Sequence, residues 1–429
     1  MTAATLPAAK ASRRGLIAWC LFDWASSPTP TVVVTFVFAP YFARAIVGDE
    51  VEGTALWSWG IAVSALIIAV LAPVTGAIAD AAGSRKPWIA AFGGLAVAAT
   101  ALLWFAMPDA AWIVPALVLV ALVNIGFETA TVFYNAMLPD LARPGRLGRL
   151  SGWAWGLGYA GGIGCLAAAL VVFVMADPPP FGRSKDDAGH VRAVALLVAA
   201  WFVVFAWPMF LWTPDRPSAR APLARSVRRG LARLAETFAE LRRHRVIVRF
   251  LLARLLYIDG LNTLFALGGV YAATAFAMDE EEVLVFAICL NVTAGLGAAG
   301  FAWMDDLVGP KATLVASLAG LIVTSAAVLL VEATLLFWIL GMALGIFIGP
   351  VQSASRSMMA RLAPPEMTAE MFGFFALSGK LTSFAGPLLV GLVAVATGSQ
   401  RLGMSMIVLL LVAGLAVLFA VPEQKHTTP

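Results

Sequence analysis

Four ionisable side chains, Asp23, Glu128, Asp259 and Lys380, lie inside long apolar stretches of this chain. A charge near the middle of a bilayer costs about 3 kcal/mol or more, so such groups face a water-filled cavity and mark a substrate or ion pathway. Carboxylates there can carry protons, and opposite charges can pair or hold the two ends of a zwitterion. At about 1.5 Å per residue, Asp259 and Lys380 fall half way across their stretches, with Asp23 and Glu128 nearer the cytoplasmic end. Asp259 and Lys380 are expected to pair across the second half of the chain, with substrate or a proton competing for the pair; a permanent structural pair is the alternative. Asp23 and Glu128 are expected to be neighbours able to share a proton. Otherwise Asp23 bonds nearby amides or hydroxyls, and Glu128 pairs with a cation such as Arg254.

Helical spacing extends these positions into stripes. Asn124, Glu128, Thr131 and Asn135 recur at intervals of four, three and four, and Asp23, Ser27 and Thr31 at intervals of four. Asp259, Asn262 and Thr263 form a third group. All are read as polar cavity lining. Pro28 and Pro30 leave backbone carbonyls without partners and allow a kink in the first stretch.

The elements that must carry these stripes follow from composition. The 429-residue chain is 61% hydrophobic and only 13% charged, about half the charged fraction of a soluble protein, which implies an integral membrane protein. Apolar segments long enough to span are expected at 16–43, 56–79, 87–107, 111–137, 151–176, 191–213, 247–277, 283–304, 311–331, 334–358, 370–396 and 402–421. Short alternating segments of a barrel are absent from the sequence, leaving an all-α membrane protein with twelve transmembrane helices. The first segment reads as a retained span rather than a cleaved leader, because it carries Asp23, Pro28 and Pro30 and runs on past a leader core. Trp57, Trp59, Trp88, Trp112, Trp201 and Trp212 near span ends read as interfacial anchors.

Scattered Cys20, Cys165 and Cys289, with His190, His244 and His426 far apart, offer no disulfide framework or metal site. Gly295, Gly297 and Gly300 lack the Lys-Ser/Thr that follows a phosphate loop and read as helix packing. No cofactor and no nucleic acid are therefore expected. The expected partners are a small-molecule substrate, membrane lipids and a proton or other ion gradient in place of ATP.

Basic residues set the topology. Lys10, Arg13, Arg14, Arg85, Lys86, Arg143, Arg146, Arg149, the 214–246 interval, Lys311, Arg361 and Lys425 fall on one face. The other holds Arg44, Arg183, Lys185, Arg192 and Arg401 beside acidic runs. A multi-pass plasma (inner) membrane protein with both termini cytoplasmic is expected. The chain divides into a tail 1–15, a six-helix bundle 16–213, a basic linker 214–246, a second six-helix bundle 247–421 and a tail 422–429. Val227, Leu231, Leu234, Phe238 and Leu241 recur helically in the linker among many arginines. This predicts an amphipathic helix at the interface, facing anionic headgroups or merely linking the halves.

The halves echo each other. Leu141-Ala142-x-Pro144, Gly152 and Gly158 recur 221 residues later as Leu362-Ala363-x-Pro365, Gly373 and Gly379. Asp80-x-x-Gly83-x-Arg85 reappears as Asp306-x-x-Gly309-x-Lys311. Such duplication marks two-bundle transporters with a site between the repeats.

Gly76, Asp80, Gly83, Arg85 and Lys86 resemble the cytoplasmic loop signature of the major facilitator superfamily, although Ser84 stands where a basic residue is usual. That resemblance implies a cytoplasmic gate that latches the outward-open state. Further blocks are Trp19 to Ser27, Phe133 to Asp140, Gly156 to Gly162, Phe372 to Lys380, Gly386-Pro387-Leu388 and Thr397 to Arg401. In this order they resemble the branch containing the autophagy-related vacuolar amino-acid effluxers and their bacterial relatives, over nearly the whole chain. Ser26 departs from the Asn common there. The resemblance implies two pseudo-symmetric six-helix bundles, a cavity lined by the first, fourth, seventh and tenth helices, and a monomer. It also implies export of amino acids or similar polar metabolites, proton-coupled on the reading of the buried carboxylates.

Other function classes fit less well. Intramembrane aspartyl proteases need Tyr-Asp and Gly-x-Gly-Asp contexts, whereas this chain has Phe22-Asp23 and Ile258-Asp259, so an enzyme is not expected. A lipid or amphipathic-drug carrier of the same fold, or a non-transporting receptor, remains open.

Overall fold

Pro387 cannot donate to the carbonyl four residues before it, that of Ser383, and the eleventh membrane helix breaks just ahead of it, between Lys380 and Ala385. The computed structural model describes residues 11–174, 188–218, 222–239 and 244–422. Lys10, Arg183, Lys185, Leu241, Arg242, Arg243, Lys425, His426 and parts of both tails lie outside the described residues.

Among the described residues twelve helices are long and apolar enough to cross a membrane: α1 Arg13–Val47, α2 Glu50–Ala82, α3 Lys86–Phe105, α4 Ala110–Leu141, α5 Leu147–Phe173, α6 Gly189–Trp212, α7 Arg245–Phe276, α8 Glu281–Val308, α9 Pro310–Leu330, α10 Thr334–Leu362, α11 Pro365–Thr397 and α12 Gln400–Phe419. Each coincides with one of the twelve expected spans. Helices close their own backbone bonds, as hydrocarbon demands, and polar caps set their ends. Asp49 accepts the N–H groups of Val51 and Glu52 to start α2, and Gly83 ends it at φ +90°. Asp279 and Glu282 form a capping box before α8.

Two helices depart from regular form part way along their length. α1 is α-helical over Arg13–Ser26 and then widens into π-helical turns over Thr29–Phe36, where Pro30 has no N–H. α11 is two helices, Thr368–Lys380 and Ala385–Thr397, rather than the continuous span expected over 370–396.

The first bundle is α1–α6 and the second α7–α12. Their pseudo-symmetry appears in paired close approaches between the bundles. Gly76 lies against the backbone of Ala369 and Glu370, and Gly373 against that of Ala72 and Pro73. The equivalent contacts on the other side are Gly148 with Asp305 and Gly152 with Ala298 and Ala302. A side chain at any of these glycines would hold the helices apart. These four contacts lie at the end bearing Arg85, Asp140 and Arg149, and between α5 and α8 close approach continues inward, with Gly156 against the Gly295 carbonyl and Gly295 against Tyr159. The far segments, Thr29–Val47 of α1 and Ala385–Thr397 of α11, make no comparable contact with the opposite bundle among the described residues. The bundles thus meet at the end carrying the termini, and the partly exposed Glu128 and Lys380 lie further in between them.

Two tryptophans expected as interfacial anchors are packed inside. Trp57 is buried and donates to the Val34 carbonyl, and Trp201 stacks on Trp24 and donates to its carbonyl.

Candidate functional site between the bundles

Asp23 and Glu128 do not pair with each other; each meets a cation of the second bundle. Arg356 on α10 donates through Nη1 to Asp23 Oδ2 at 2.9 Å. The same nitrogen donates to Asn135 Oδ1 at 3.2 Å, while Nε and Nη2 donate to the Ser151 hydroxyl and carbonyl at 2.9 and 2.6 Å. Arg356 was not singled out in the sequence because it lies two residues from the end of the expected tenth span, where arginines are ordinary flanks. Its signal is Ser355-Arg356-Ser357, a charge with two small polar neighbours that extends the same helix inward.

Lys380 donates to Glu128 Oε1 at 2.7 Å, across the bundle interface. This overturns the expected Asp259–Lys380 pair and places Glu128 level with Lys380. The reason is the α11 break: Lys380 ends the first segment of α11, where a cation is favoured, and turns toward α4. Each partner keeps about a quarter of its side-chain surface accessible, 25% for Lys380 and 23% for Glu128. Arg254 also acts on Glu128. Its Nη1 donates to the Phe375 carbonyl and Ser378 hydroxyl, and its guanidinium lies 3.5 Å from the Phe375 ring centroid.

Asp259 is 3% exposed, and no cation among the described residues pairs with it. Its carboxylate faces the Gly386 N–H at the start of the second α11 segment, where a negative charge is favoured. No protein group among the described residues donates to its Oδ1. The break in α11 therefore serves two charges, a lysine before it and an aspartate after it. Discontinuous helices of this kind mark binding sites in transporters.

The remaining stripe residues divide. Thr131 is half-buried beside Glu128 and bonds the Phe127 carbonyl. Asn124 turns away from the second bundle and donates to Ser64 of α2 at 2.7 Å, so it packs within its own bundle. Asn135 is engaged by Arg356. Ser27 and Thr263 each donate to the carbonyl four residues earlier, that of Asp23 or Asp259, at 2.7 Å. Gly162 lies close to Thr31, and Asn262 donates to the Gly379 carbonyl at 3.4 Å. A separate recess of about 250 Å³, lined by Thr35, Arg44, Glu50 and Trp57, lies at the far end of α1, apart from these charges.

At the closed end Asp80 accepts the N–H groups of Ala369 and Glu370 at 3.1 and 2.9 Å. Arg85 pairs with Asp140 and lies 3.9 Å from Asp80. Burial pulls the Arg85 guanidinium below its ordinary pKa, and Asp140 opposes that. Asp215 accepts the backbone N–H groups of Arg85 and Lys86, and Arg216 clasps Asp140 at 2.7 and 2.8 Å while donating to the Pro365 carbonyl. Lys86 Nζ donates to the Phe210 carbonyl. Asp140 closes the Phe133–Asp140 block but was not anticipated as a pairing partner, and Asp215 and Arg216 carry no spacing signal.

Two pseudo-symmetric six-helix bundles joined by ion pairs define a transporter of the major facilitator type. Residues 43–428 match the family described as vacuole effluxer Atg22 like, and the chain belongs to that family. It is 30% identical over 412 residues, 95% of each chain, to the uncharacterized MFS-type transporter YxiO of Bacillus subtilis. Autophagy-related protein 22 of Coccidioides immitis is 21% identical over 91% of this chain and 77% of its own length. Among solved structures, the fucose:proton symporter FucP of E. coli superposes with a TM-score of 0.72 at 15% identity, over 96% of this chain and 98% of its own.

Proposed function

We propose that this transporter exports a small zwitterionic solute of the amino-acid class in exchange for protons, by alternating access. The observation that carries the proposal is the Glu128–Lys380 pair, which crosses the bundle interface at the α11 break and stays partly open to the cavity. A zwitterion entering between them replaces each charge with its opposite: its ammonium meets Glu128, and its carboxylate meets Lys380 and the nearby Arg254. Neither side chain is then left desolvated and unpaired. Asp259, buried without a cation, is assigned the exchangeable proton, which removes the cost of an isolated buried carboxylate.

The basic residues at the closed end support a cytoplasmic location for that end and for both termini. The membrane is then the plasma (inner) membrane, and the protein acts as a monomer. Export is the direction suggested by the family's description.

Thermal stabilisation of the purified protein by amino acids, peptides, sugars and lipids, measured on either side of neutral pH, tests the substrate class, since a ligand of the native state raises apparent stability by mass action. Stabilisation by amino acids that disappears in Lys380→Ala supports the proposal. Stabilisation by lipids alone overturns it in favour of a hydrophobic-substrate carrier.

A further inference from the structure

Arg356 belongs to the second bundle, yet every hydrogen-bond acceptor that holds its guanidinium belongs to the first. Asp23 comes from α1, Asn135 from α4, and the Ser151 hydroxyl and carbonyl from α5. Three aromatic rings of the same bundle surround it. Trp19, Trp155 and Tyr134 have centroids 5.3, 5.5 and 5.8 Å from its Cζ. The side chain is 2% exposed. A carboxylate, several oriented oxygens and three ring faces make a recognition site for an organic cation, and a planar one is favoured because in-plane donors meet the oxygens.

Alternating access requires the closed end to open, and α10 then moves with the second bundle. The socket's groups stay behind, because none of them is on α10; the one bond they lose among the described residues, besides those to Arg356, is from the Ser151 hydroxyl to the Ser353 carbonyl. Emptied, it leaves the Asp23 carboxylate and the Asn135 carbonyl without the cation that neutralised them, a costly state in a partly dry site. The structure assigns this socket as a second binding site: when the closed end opens, it captures the guanidinium or ammonium end of the incoming solute, and Arg356 displaces that group as the end closes again. The inference rests on the alternating-access reading, not on the role given to Glu128 and Lys380. Arg356 is then the resident stand-in for the cationic end of the cargo, and solutes lacking a cationic group do not engage the socket.

Methylguanidinium is the probe. In Arg356→Ala it should produce a saturable rise in Tm, weakened about tenfold or more when Asp23→Asn is added. Methylammonium in parallel separates a planar preference from general cation binding. If Arg356→Ala does not purify as a folded protein, Asp80→Asn with Arg356 intact loosens the closed end and should make the probe bind where the unmodified protein does not. A folded Arg356→Ala, or a demonstrably opened Asp80→Asn, that shows no saturable response to either cation overturns the inference. That failure would leave amino-acid stabilisation through Lys380 untouched, so the two readings fail separately.

Discussion

Asp80 and Asp306 perform the same act from opposite halves of the chain: each accepts two backbone N–H groups at the start of a helix in the other bundle. Asp80 holds Ala369 and Glu370, while Asp306 holds Gly148 and Arg149 at 2.7 and 3.2 Å. Gly148 and Arg149 lie 221 residues before Ala369 and Glu370, the same offset that relates the repeated Leu-Ala-x-Pro blocks. The two clasps are therefore products of the duplication, and they share the holding of the closed end. Arg149 and Arg361 add ion pairs on the Asp306 side, at 2.6 Å to Asp306 and 2.9 Å to Asp305.

Asp80→Asn or Asp306→Asn keeps the side-chain size but weakens the charge-assisted cap, at about 1 kcal/mol each. Because the two clasps share no partner, their effects should add. Spin labels at exposed Arg143→Cys and Glu366→Cys should report a wider distance distribution in either variant and a still wider one in the double variant. An unchanged distribution in the double variant would mean that the aspartates do not hold the end closed.

Asp259→Asn separates coupling from binding. The amide replaces a buried carboxylate that lacks a cation, so stability should hold or rise slightly, the opposite of the usual penalty for breaking a buried pair. In proteoliposomes the variant should keep solute exchange at equal concentrations on both sides and lose accumulation driven by a proton gradient. Retained gradient-driven accumulation would remove Asp259 from the proton pathway.

The twelve spans, the two bundles and the repeat were legible because hydrophobic length and local spacing are properties of single segments. Side-chain pairing was not. Lys380 and Asp259 lie at similar depths in the same bundle, and depth alone made them partners; the break ahead of Pro387 lets Lys380 reach α4 and presents the Gly386 N–H to Asp259. Arg356 was hidden by the same logic of distance along one helix, since its partners are 205 to 333 residues away. Ion pairs between bundles depend on which helix faces meet, and no periodicity within one helix encodes that.

Exchanging the charges, Glu128→Lys with Lys380→Glu, should restore the stability lost in either single variant. The coupling energy should be about 1 kcal/mol, lowered from the buried-pair range because both partners are partly exposed. A double-mutant cycle in thermal unfolding measures it. Solute binding should remain at least tenfold weakened in the exchanged variant, about 1.4 kcal/mol, because the reversed pair no longer faces Arg254 and the cavity with the same polarity. Full recovery of binding would show that the pair is structural.

The linker helix, Leu223–Ala239, supplies the last test. Of its expected apolar face, Leu231 is 45% exposed while Leu234 is buried. The face turned inward joins Leu234 to Ser226, Gly230 and Thr237, all buried. Gly230 lies against the backbone of Ala77 and Ile78 on α2, four residues or fewer from Asp80, and Thr237 and Arg233 face the buried Glu370. A side chain at position 230 would meet main-chain atoms that cannot give way, so Gly230→Leu should lift the helix from α2. Amide hydrogen exchange over residues 76–82 should then quicken, because the docked helix no longer covers the end of α2. Leu231→Ala, on the outward face, should leave that exchange unchanged. Quickening in both variants, or in neither, would mean that the linker helix does not brace the closed end through Gly230.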